Sequence, residues 1–161
     1  MSARRIATFF YGSFMDVRVL QRVDVNVSGL ERAMLPGFAI ELRPRVNLHR
    51  SDRHVVHGAV VWVTHEELDR LYALNPADLH ARGVTVPAGD PAVVYRPEAV
   101  NVILGDGSWR AALCYIADWL EPADPSAEYV ESVVAAARAL GHPDWYIAHL
   151  QRFSPKWDGH R

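Results

Sequence analysis

The sequence predicts one α+β domain over residues 1–161, with about five or six mostly antiparallel strands and helices packed outside the sheet. Three observations lead to this prediction. Short apolar runs rich in β-branched and aromatic residues recur along the chain, and the strongest is VVHGAVVWV at 55–63. Asp106-Gly107 separates two such runs at hairpin spacing. Apolar residues at helical spacing follow Thr64 and Ser126.

The first part of the chain predicts a strand, a short helix and a second strand. Ile6 to Tyr11 is an apolar run typical of a buried strand. Asp16 can cap a helix that continues to about Val23. A Pro-Gly turn in LPGFAIEL precedes a strand at 38–42. The Tyr-Gly-Ser stretch is therefore a tight connection between the first strand and the first helix.

The middle of the chain predicts a strand, a helix and a long loop. In the strand at 55–63, Gly58 indicates a bulge or a close approach of another backbone. Thr64 and Glu67 form a capping box for the next helix, and Asn75-Pro76 ends it because a residue before proline disfavours the helical region. Residues 76–92 hold three prolines and two glycines and are predicted to be a loop.

The last part predicts a hairpin and two helices. Strands are expected at 93–104 and 110–117. Ser126 caps a helix that ends at Gly141, and Pro143 opens a short last helix. The five tryptophans are expected mostly in the core.

Composition excludes several classes of protein. The formal net charge of −2 gives no support for a nucleic-acid-binding protein. No apolar run approaches the roughly 18 residues of a membrane span, and the N-terminus shows no signal-peptide cleavage region. The one cysteine, Cys114, lies in an apolar run and is expected to be a buried free thiol in a reducing compartment. We therefore expect a cytoplasmic protein with no nucleic-acid or membrane partner.

Neither a metal nor a cofactor is expected. No phosphate-binding loop or dinucleotide-binding glycine pattern occurs. His54 and His57 would point to opposite faces of a strand, whereas a metal site needs three or four convergent ligands. Arg43 and Arg45 could each hold a carboxylate, although their pattern favours a solvated edge strand.

Five stretches, taken in order over about residues 6–151, resemble the γ-glutamylcyclotransferase-like (AIG2-like) family. FFYGSFM resembles the family's Tyr-Gly-Ser-Asn loop, and MLPGFAIEL its Leu-x-Gly-aromatic strand. VVHGAVVWVTHEELDRL resembles its strand followed by an acidic helix, and ALCYIA its tyrosine-containing strand. DPSAEYVESVVAAARALGHPDWYIAHL is similar to its Pro-Ser-x-x-Tyr helix and last helix.

The resemblance implies a fold and a chemistry. The fold is a small mixed, mostly antiparallel β-barrel with flanking helices. The chemistry is cyclisation of a γ-glutamyl amide, in which the α-amine attacks the side-chain carbonyl and releases 5-oxoproline and a free amine. This reaction needs a held carboxylate, hydrogen-bond donors for the oxyanion, and an acid/base group.

The Tyr-Gly-Ser loop would hold a small-molecule substrate by its carboxylate. Glycine allows close approach of a ligand to the backbone, and N–H groups ahead of a helix attract anions. Two tyrosines on later strands would line the same cavity. The residues expected to bind substrate are Tyr11, Gly12, Ser13, Phe14, Met15, Tyr95 and Tyr115.

One departure from the family concerns the acid/base group. The family's glutamate lies in a pattern like Leu-Asp-x-x-Glu-Gly, and the corresponding stretch here is LYALNP, with Asn75 in place of glutamate. Asparagine has no useful proton affinity near neutral pH. Another residue could supply the base, and the candidates are Asp78, His80 and Glu98.

Two further explanations remain open. The site could run different chemistry, with Asn75 as a hydrogen-bond donor. Alternatively, the domain could have lost catalysis and bind a small acidic ligand or a partner protein. The leading hypothesis is an enzyme that acts on a γ-glutamyl or related amide with altered chemistry or specificity.

Overall fold

The computed structural model describes residues 3–157 and 159, and it confirms the predicted barrel. Five strands close into a barrel in the order β1-β3-β2-β4-β5. Within the described residues, no helix is both long enough and apolar enough to cross a membrane. In chain order the elements are β1 (Arg5–Phe10), a 3-10 turn (Ser13–Met15), α1 (Val17–Arg22), β2 (Leu30–Leu42), β3 (Val46–Thr64), α2 (His65–Ala73), α3 (Pro76–Ala81), β4 (Tyr95–Leu104), β5 (Trp109–Ala117), α4 (Ala127–Ala139) and α5 (Asp144–Gln151).

A long antiparallel hairpin of β2 and β3 forms one wall of the barrel. Both strands are longer than the sequence predicted, since β3 begins at Val46 rather than at 55. Residues 46–54 are mostly polar and exposed, so they carry no apolar pattern. Their backbone pairs with Phe38–Leu42, and this pairing, not side-chain burial, makes them a strand.

Strand β1 lies between β3 and β5 and closes the barrel. It pairs antiparallel with β3 along its whole length, but parallel with β5 only at Thr8–Leu113 and Phe9–Cys114. A strand with neighbours on both edges and both faces covered reads as a continuous apolar run, as 6–11 does. The Cys114 thiol is fully buried, as predicted, and burial raises its pKa.

The predicted close approach at Gly58 is confirmed. A Cβ at this position would lie 2.3 Å from the carbonyl oxygen of Phe10 and 2.7 Å from the ring of Phe9. The strand register is regular there, and the irregularity of the hairpin falls between Pro36 and Phe38 instead. Gly58 is therefore required by the contact between β1 and β3, not by a bulge.

The segment predicted as a loop at 76–92 begins with a helix, α3. Asn75 caps it, Pro76 occupies its first turn, and Asp78 completes a capping box. The prediction was wrong at 76–81 because proline ends the preceding helix and begins the next one. The expectation of buried tryptophans was also wrong, since Trp109, Trp119 and Trp145 are exposed.

The connection between helices α4 and α5 places a buried histidine, His142, against the buried His57 of β3. Gly141, with φ of 73°, ends α4 in the left-handed conformation, and His142 follows it. The rings of His142 and His57 lie 5.3 Å apart. Both Nε2 atoms are shielded from solvent, and neither has a hydrogen-bond partner in the described part of the chain. Burial lowers both pKa values, that of His142 to about 4.

We predict that Gly58→Ala destabilises the barrel severely. The new methyl group would overlap the Phe10 carbonyl, which is backbone and cannot move aside, so we expect a loss of about 3 kcal/mol or more in the free energy of unfolding. Urea denaturation measures it. Gly105→Ala is the matched control, because a Cβ there meets nothing within 4 Å. Equal stability of the two variants would contradict this account of Gly58.

We also predict that the fold loses stability as the pH falls from about 6.5 towards 4. Unfolding lets His142 take up a proton that the folded state excludes, because burial, the neighbouring His57 and Arg32 all oppose its charge. With a folded pKa of about 4, the loss at pH 5 is about 2 kcal/mol for this group.

Urea denaturation of wild type and His142→Leu at pH 7.5 and pH 5 tests this prediction. The variant should lose less stability on acidification than wild type does. The control is His49→Leu, which removes an exposed histidine and should leave the pH dependence unchanged. An unchanged pH dependence in His142→Leu would show that the buried pair is not responsible.

Candidate functional site

A cavity of about 230 Å³ lies beside the Tyr-Gly-Ser connection. The connection after β1, the turn before β3, and helices α2 and α3 supply part of its wall. The segment before β4 and single tyrosines from β5 and α4 complete it. Its lining residues are Phe10, Tyr11, Gly12, Ser13, Phe14, Arg45, Val46, Leu71, Tyr72, Leu74, Leu79, Val84, Thr85, Pro87, Pro91, Val93, Val94, Tyr95, Tyr115 and Tyr129.

Gly12 brings the connection close against the start of β3. A Cβ on Gly12 would lie 2.7 Å from Val46 Cγ2, so a larger residue would push the two segments apart. The preceding residue, Tyr11, is buried, and its hydroxyl donates to the carbonyl oxygen of Tyr115 at 2.6 Å. Tyr11 thus ties the end of β1 to β5 instead of presenting its hydroxyl to a ligand.

Ser13 and Phe14 line the cavity, whereas Met15 does not. Met15 is buried in the core, and its N–H donates to the carbonyl oxygen of Gly12 at 3.1 Å. Met15 was predicted to contribute to the loop's binding surface, but it lies in the core and does not line the cavity. The backbone N–H groups of Ser13 and Phe14 have no hydrogen-bond partner among the described residues, which leaves them available to an acceptor.

Tyr95 and Tyr115 both line the cavity, as the sequence predicted, and a third tyrosine joins them. The Tyr95 hydroxyl donates to the carbonyl oxygen of Val46. The Tyr129 hydroxyl, from α4, accepts from the N–H of Val46 at 3.2 Å. These two phenols hold the N–H and the carbonyl oxygen of Val46, the residue that follows Arg45. Burial raises the pKa of Tyr129 to about 12.

Tyr72, on the last turn of α2, has the central position among the aromatic rings. Its ring stacks on Tyr115 at 3.9 Å between centroids and meets Phe14 edge-on at 6.4 Å. Burial, together with nearby Cys114 and tyrosines, raises its pKa well above the usual 10. The phenol is therefore neutral near pH 7, and no hydrogen bond to its hydroxyl is present within the described chain.

None of the three residues predicted to be catalytic lines the cavity, although Asn75 and Asp78 contact each other. Asn75 is exposed, and its side chain accepts from the N–H of Asp78 at 2.8 Å. The Asp78 carboxylate in turn accepts from the N–H of Asn75 at 3.1 Å. Glu98, on β4, forms an ion pair with Arg50. The sequence predicted Asn75 at the reaction centre, but in the structure it caps α3.

The family pattern fits α2 in a second register. Leu-Asp-x-x-Glu-Gly matches Leu68 and Asp69 literally, and this register puts Tyr72 in place of glutamate and Ala73 in place of glycine. It begins three residues earlier than the register that puts Asn75 in place of glutamate. Tyr72 faces the cavity, whereas Asn75 does not. The literal Leu-Asp pair was the signal that would have identified Tyr72.

Arg45 is the one charged residue among those that line the cavity in the described chain. It was expected on a solvated edge, but its Nε is shielded from solvent and has no hydrogen-bond partner within the described residues. One guanidinium nitrogen donates to the carbonyl oxygen of Asp90, at 3.4 Å. No pattern in the sequence distinguished Arg45 from Arg43, which pairs with the exposed Asp124.

The cavity thus combines phenols, apolar side chains and one guanidinium. No aspartate, glutamate or histidine of the described chain lines it. In the same residues, no group of three His, Cys, Asp or Glu side chains is placed to hold a metal ion. The arrangement can bind an anion and donate hydrogen bonds, and its lining contains no group that accepts a proton near neutral pH.

Comparisons with known proteins place the chain among cyclotransferase-like folds. A human protein, described as uncharacterized, superposes with a TM-score of 0.71 at 18% identity, covering 97% of this chain and 92% of that one. A structure named γ-glutamyl cyclotransferase superposes with a TM-score of 0.69 at 18% identity, covering 98% of this chain and 92% of that one. A yeast γ-glutamyl cyclotransferase specific to glutathione superposes with a TM-score of 0.57 at 13% identity, covering 92% of this chain and 97% of that one.

The sequence comparison agrees with the fold. No curated protein sequence matches the chain. The model of the AIG2-like family matches residues 88–150, which run from the segment before β4 to α5. Residues 88–150 thus carry the AIG2-like sequence pattern on a chain that has the γ-glutamyl cyclotransferase fold, and the resemblance to the γ-glutamylcyclotransferase-like (AIG2-like) family is confirmed.

Proposed function

We propose that this chain binds a γ-glutamyl or related amino-acid-derived amide in the cavity beside the Tyr-Gly-Ser loop and acts on it with altered acid/base chemistry. The fold and the family support a cyclotransferase-type function. The observation that carries the proposal is Tyr72, a half-buried neutral phenol that lines the cavity at the position where the family's pattern, placed on Leu68 and Asp69, has its glutamate.

The cavity retains what is needed to bind such an amide. The free N–H groups of Ser13 and Phe14 can donate to an anionic oxygen, either a carboxylate or the oxyanion that forms when the amide carbonyl is attacked. The aromatic rings of Phe14, Tyr72 and Tyr115 supply apolar surface in the same cavity.

The cavity does not retain a base for the usual first step. Cyclisation requires that the substrate's α-ammonium lose a proton, and a phenol whose pKa is raised above 10 stays protonated near pH 7. Tyr72 can donate a hydrogen bond to the leaving nitrogen, but it cannot accept the proton of the attacking one. Absence of a general base typically lowers a rate by about 10²–10⁴-fold.

A second candidate is a domain that binds a small acidic ligand without converting it. The specific observation in its favour is that Arg45 is the one ionised residue lining the cavity within the described chain. Such a site recognises an anion and offers no residue with a carboxylate or imidazole for proton transfer.

We predict that Tyr72→Glu increases the formation of 5-oxoproline from γ-glutamyl amines by about 10²-fold or more over wild type. The change places a carboxylate at the family's glutamate position, inside the cavity. Mass spectrometry of 5-oxoproline after incubation with a panel of γ-glutamyl amines provides the measurement. Tyr72→Gln, which has the same shape without the charge, should not show the gain.

Asn75→Glu is the matched control for the register of the pattern. It introduces the same carboxylate three residues later, on the exposed cap of α3, and should not increase turnover. A gain in Asn75→Glu but not in Tyr72→Glu would contradict the assignment of Tyr72. Binding with no turnover in any variant would favour the second candidate, and no binding of any γ-glutamyl compound would overturn the proposal. Circular dichroism establishes that each variant is folded.

A further inference from the structure

We infer that Arg45 binds the carboxylate of the ligand and that the cavity accepts only an apolar, uncharged group as the amine part of that ligand. The inference rests on the proposed function and deepens it, because it assigns the residue that holds the acid and the chemical class of the amine part. It concerns a residue outside the Tyr-Gly-Ser loop and outside α2.

The first step is the unpaired state of Arg45. Its Nε is shielded from solvent without a hydrogen-bond partner, and it forms no ion pair with any acid of the described chain. A buried donor left unsatisfied is destabilising. A ligand carboxylate can accept from Nε and from one terminal nitrogen at once, which is the geometry that arginine favours.

The second step is the position of Arg45 relative to the loop. Val46, the next residue, lies against Gly12, where even one methyl group would not fit. The backbone of Val46 is held by hydrogen bonds from Tyr95 and to Tyr129. Arg45 thus follows directly on a fixed backbone position and lines the same cavity as Ser13 and Phe14.

The electrostatics agree with this placement. Burial raises the pKa of Tyr129 to about 12, while the hydrogen bond to Val46 and the charge of Arg45 both act to lower it. The guanidinium therefore acts on the phenols that line the cavity. Since no acidic residue of the described chain lines it, the net charge of this lining is positive near neutral pH.

The third step concerns the part of the wall that α3 and the segment before β4 form. The segment before β4 contributes Val84, Thr85, Pro87, Pro91, Val93 and Val94, and α3 contributes Leu79. These side chains are apolar except for the Thr85 hydroxyl, and none is negatively charged, so an ammonium group would be buried without a counter-ion, which is costly. The faces of Tyr72 and Tyr115 stack on each other, so they do not form an open aromatic cage for a cation.

The experiment compares ligands that differ only in charge. Calorimetry gives dissociation constants for γ-glutamylbutylamine and its α-carboxamide analogue, and for 4-phenylbutyrate and 4-phenylbutyramide. For wild type we expect each carboxylate to bind about 10- to 100-fold more tightly than its amide. In Arg45→Met the ratio of the two dissociation constants, amide over carboxylate, should fall to about 1. In Arg43→Met the ratio should persist, because Arg43 is an exposed arginine outside the cavity.

The amine part is tested with γ-glutamylputrescine, which adds a terminal ammonium to a chain of the same length. Wild type should bind it at least about 10-fold more weakly than γ-glutamylbutylamine. Equal or tighter binding of the ammonium compound would overturn the assignment of an apolar amine part. Thermal melting curves of both methionine variants check that they are folded.

The outcomes separate this inference from the proposed function. If γ-glutamylbutylamine binds and its preference over the carboxamide survives in Arg45→Met, the role of Arg45 is overturned and the proposed function stands. If only 4-phenylbutyrate binds, and does so through Arg45, the carboxylate anchor is supported and the proposed function is overturned. If neither carboxylate binds, both are overturned.

Discussion

The short parallel contact between β1 and β5 is the constraint on which the architecture depends. Only two residue pairs join these strands, at Thr8–Leu113 and Phe9–Cys114, yet they close the otherwise antiparallel five-stranded sheet β1-β3-β2-β4-β5 into a barrel. The hydrogen bond from the Tyr11 hydroxyl to the Tyr115 carbonyl extends that contact beyond the end of β1. As a result, the Tyr-Gly-Ser connection and β5 meet at one cavity.

The cavity depends on aromatic residues for its shape and on arginine for its charge. Tyr11, Tyr95 and Tyr129 use their hydroxyls to hold backbone groups, so most of the phenols are structural. Tyr72 differs, because its hydroxyl has no partner within the described chain, and it stands on the helix that carries the acid in the family's pattern. A phenol in that place can donate a hydrogen bond, but it cannot accept a proton near neutral pH as a carboxylate can.

Much of the fold could be predicted from the sequence, because the buried strands and the capped helices have local signatures. Apolar runs identified β1, β4 and β5, and the Thr64 and Ser126 caps gave the starts of α2 and α4. The polar half of β3 could not be found, since backbone pairing and not burial defines it. Helix α3 was missed because Pro76 is a stop signal for one helix and a start signal for the next.

The site was predicted in part, and its errors have a physical origin. A turn with Tyr-Gly-Ser is a local feature, and it lies at the cavity as expected. Tyr72 lies on the last turn of α2, whereas Asn75 follows the end of α2 and caps α3, so the point at which α2 ends decides which of the two faces the cavity. Arg45 donates to the carbonyl oxygen of Asp90, 45 positions further along the chain, and no local pattern reports such a contact.

The complete burial of Cys114 at the seam between β1 and β5 has a practical consequence. Cys114 is the one cysteine of the chain, and its backbone pairs with that of Phe9 at the contact that closes the barrel. A maleimide can reach it only when the seam separates, and the raised pKa further suppresses the reactive thiolate in the closed state. The rate of alkylation in native buffer therefore reports the opening of the barrel itself, without any engineered label.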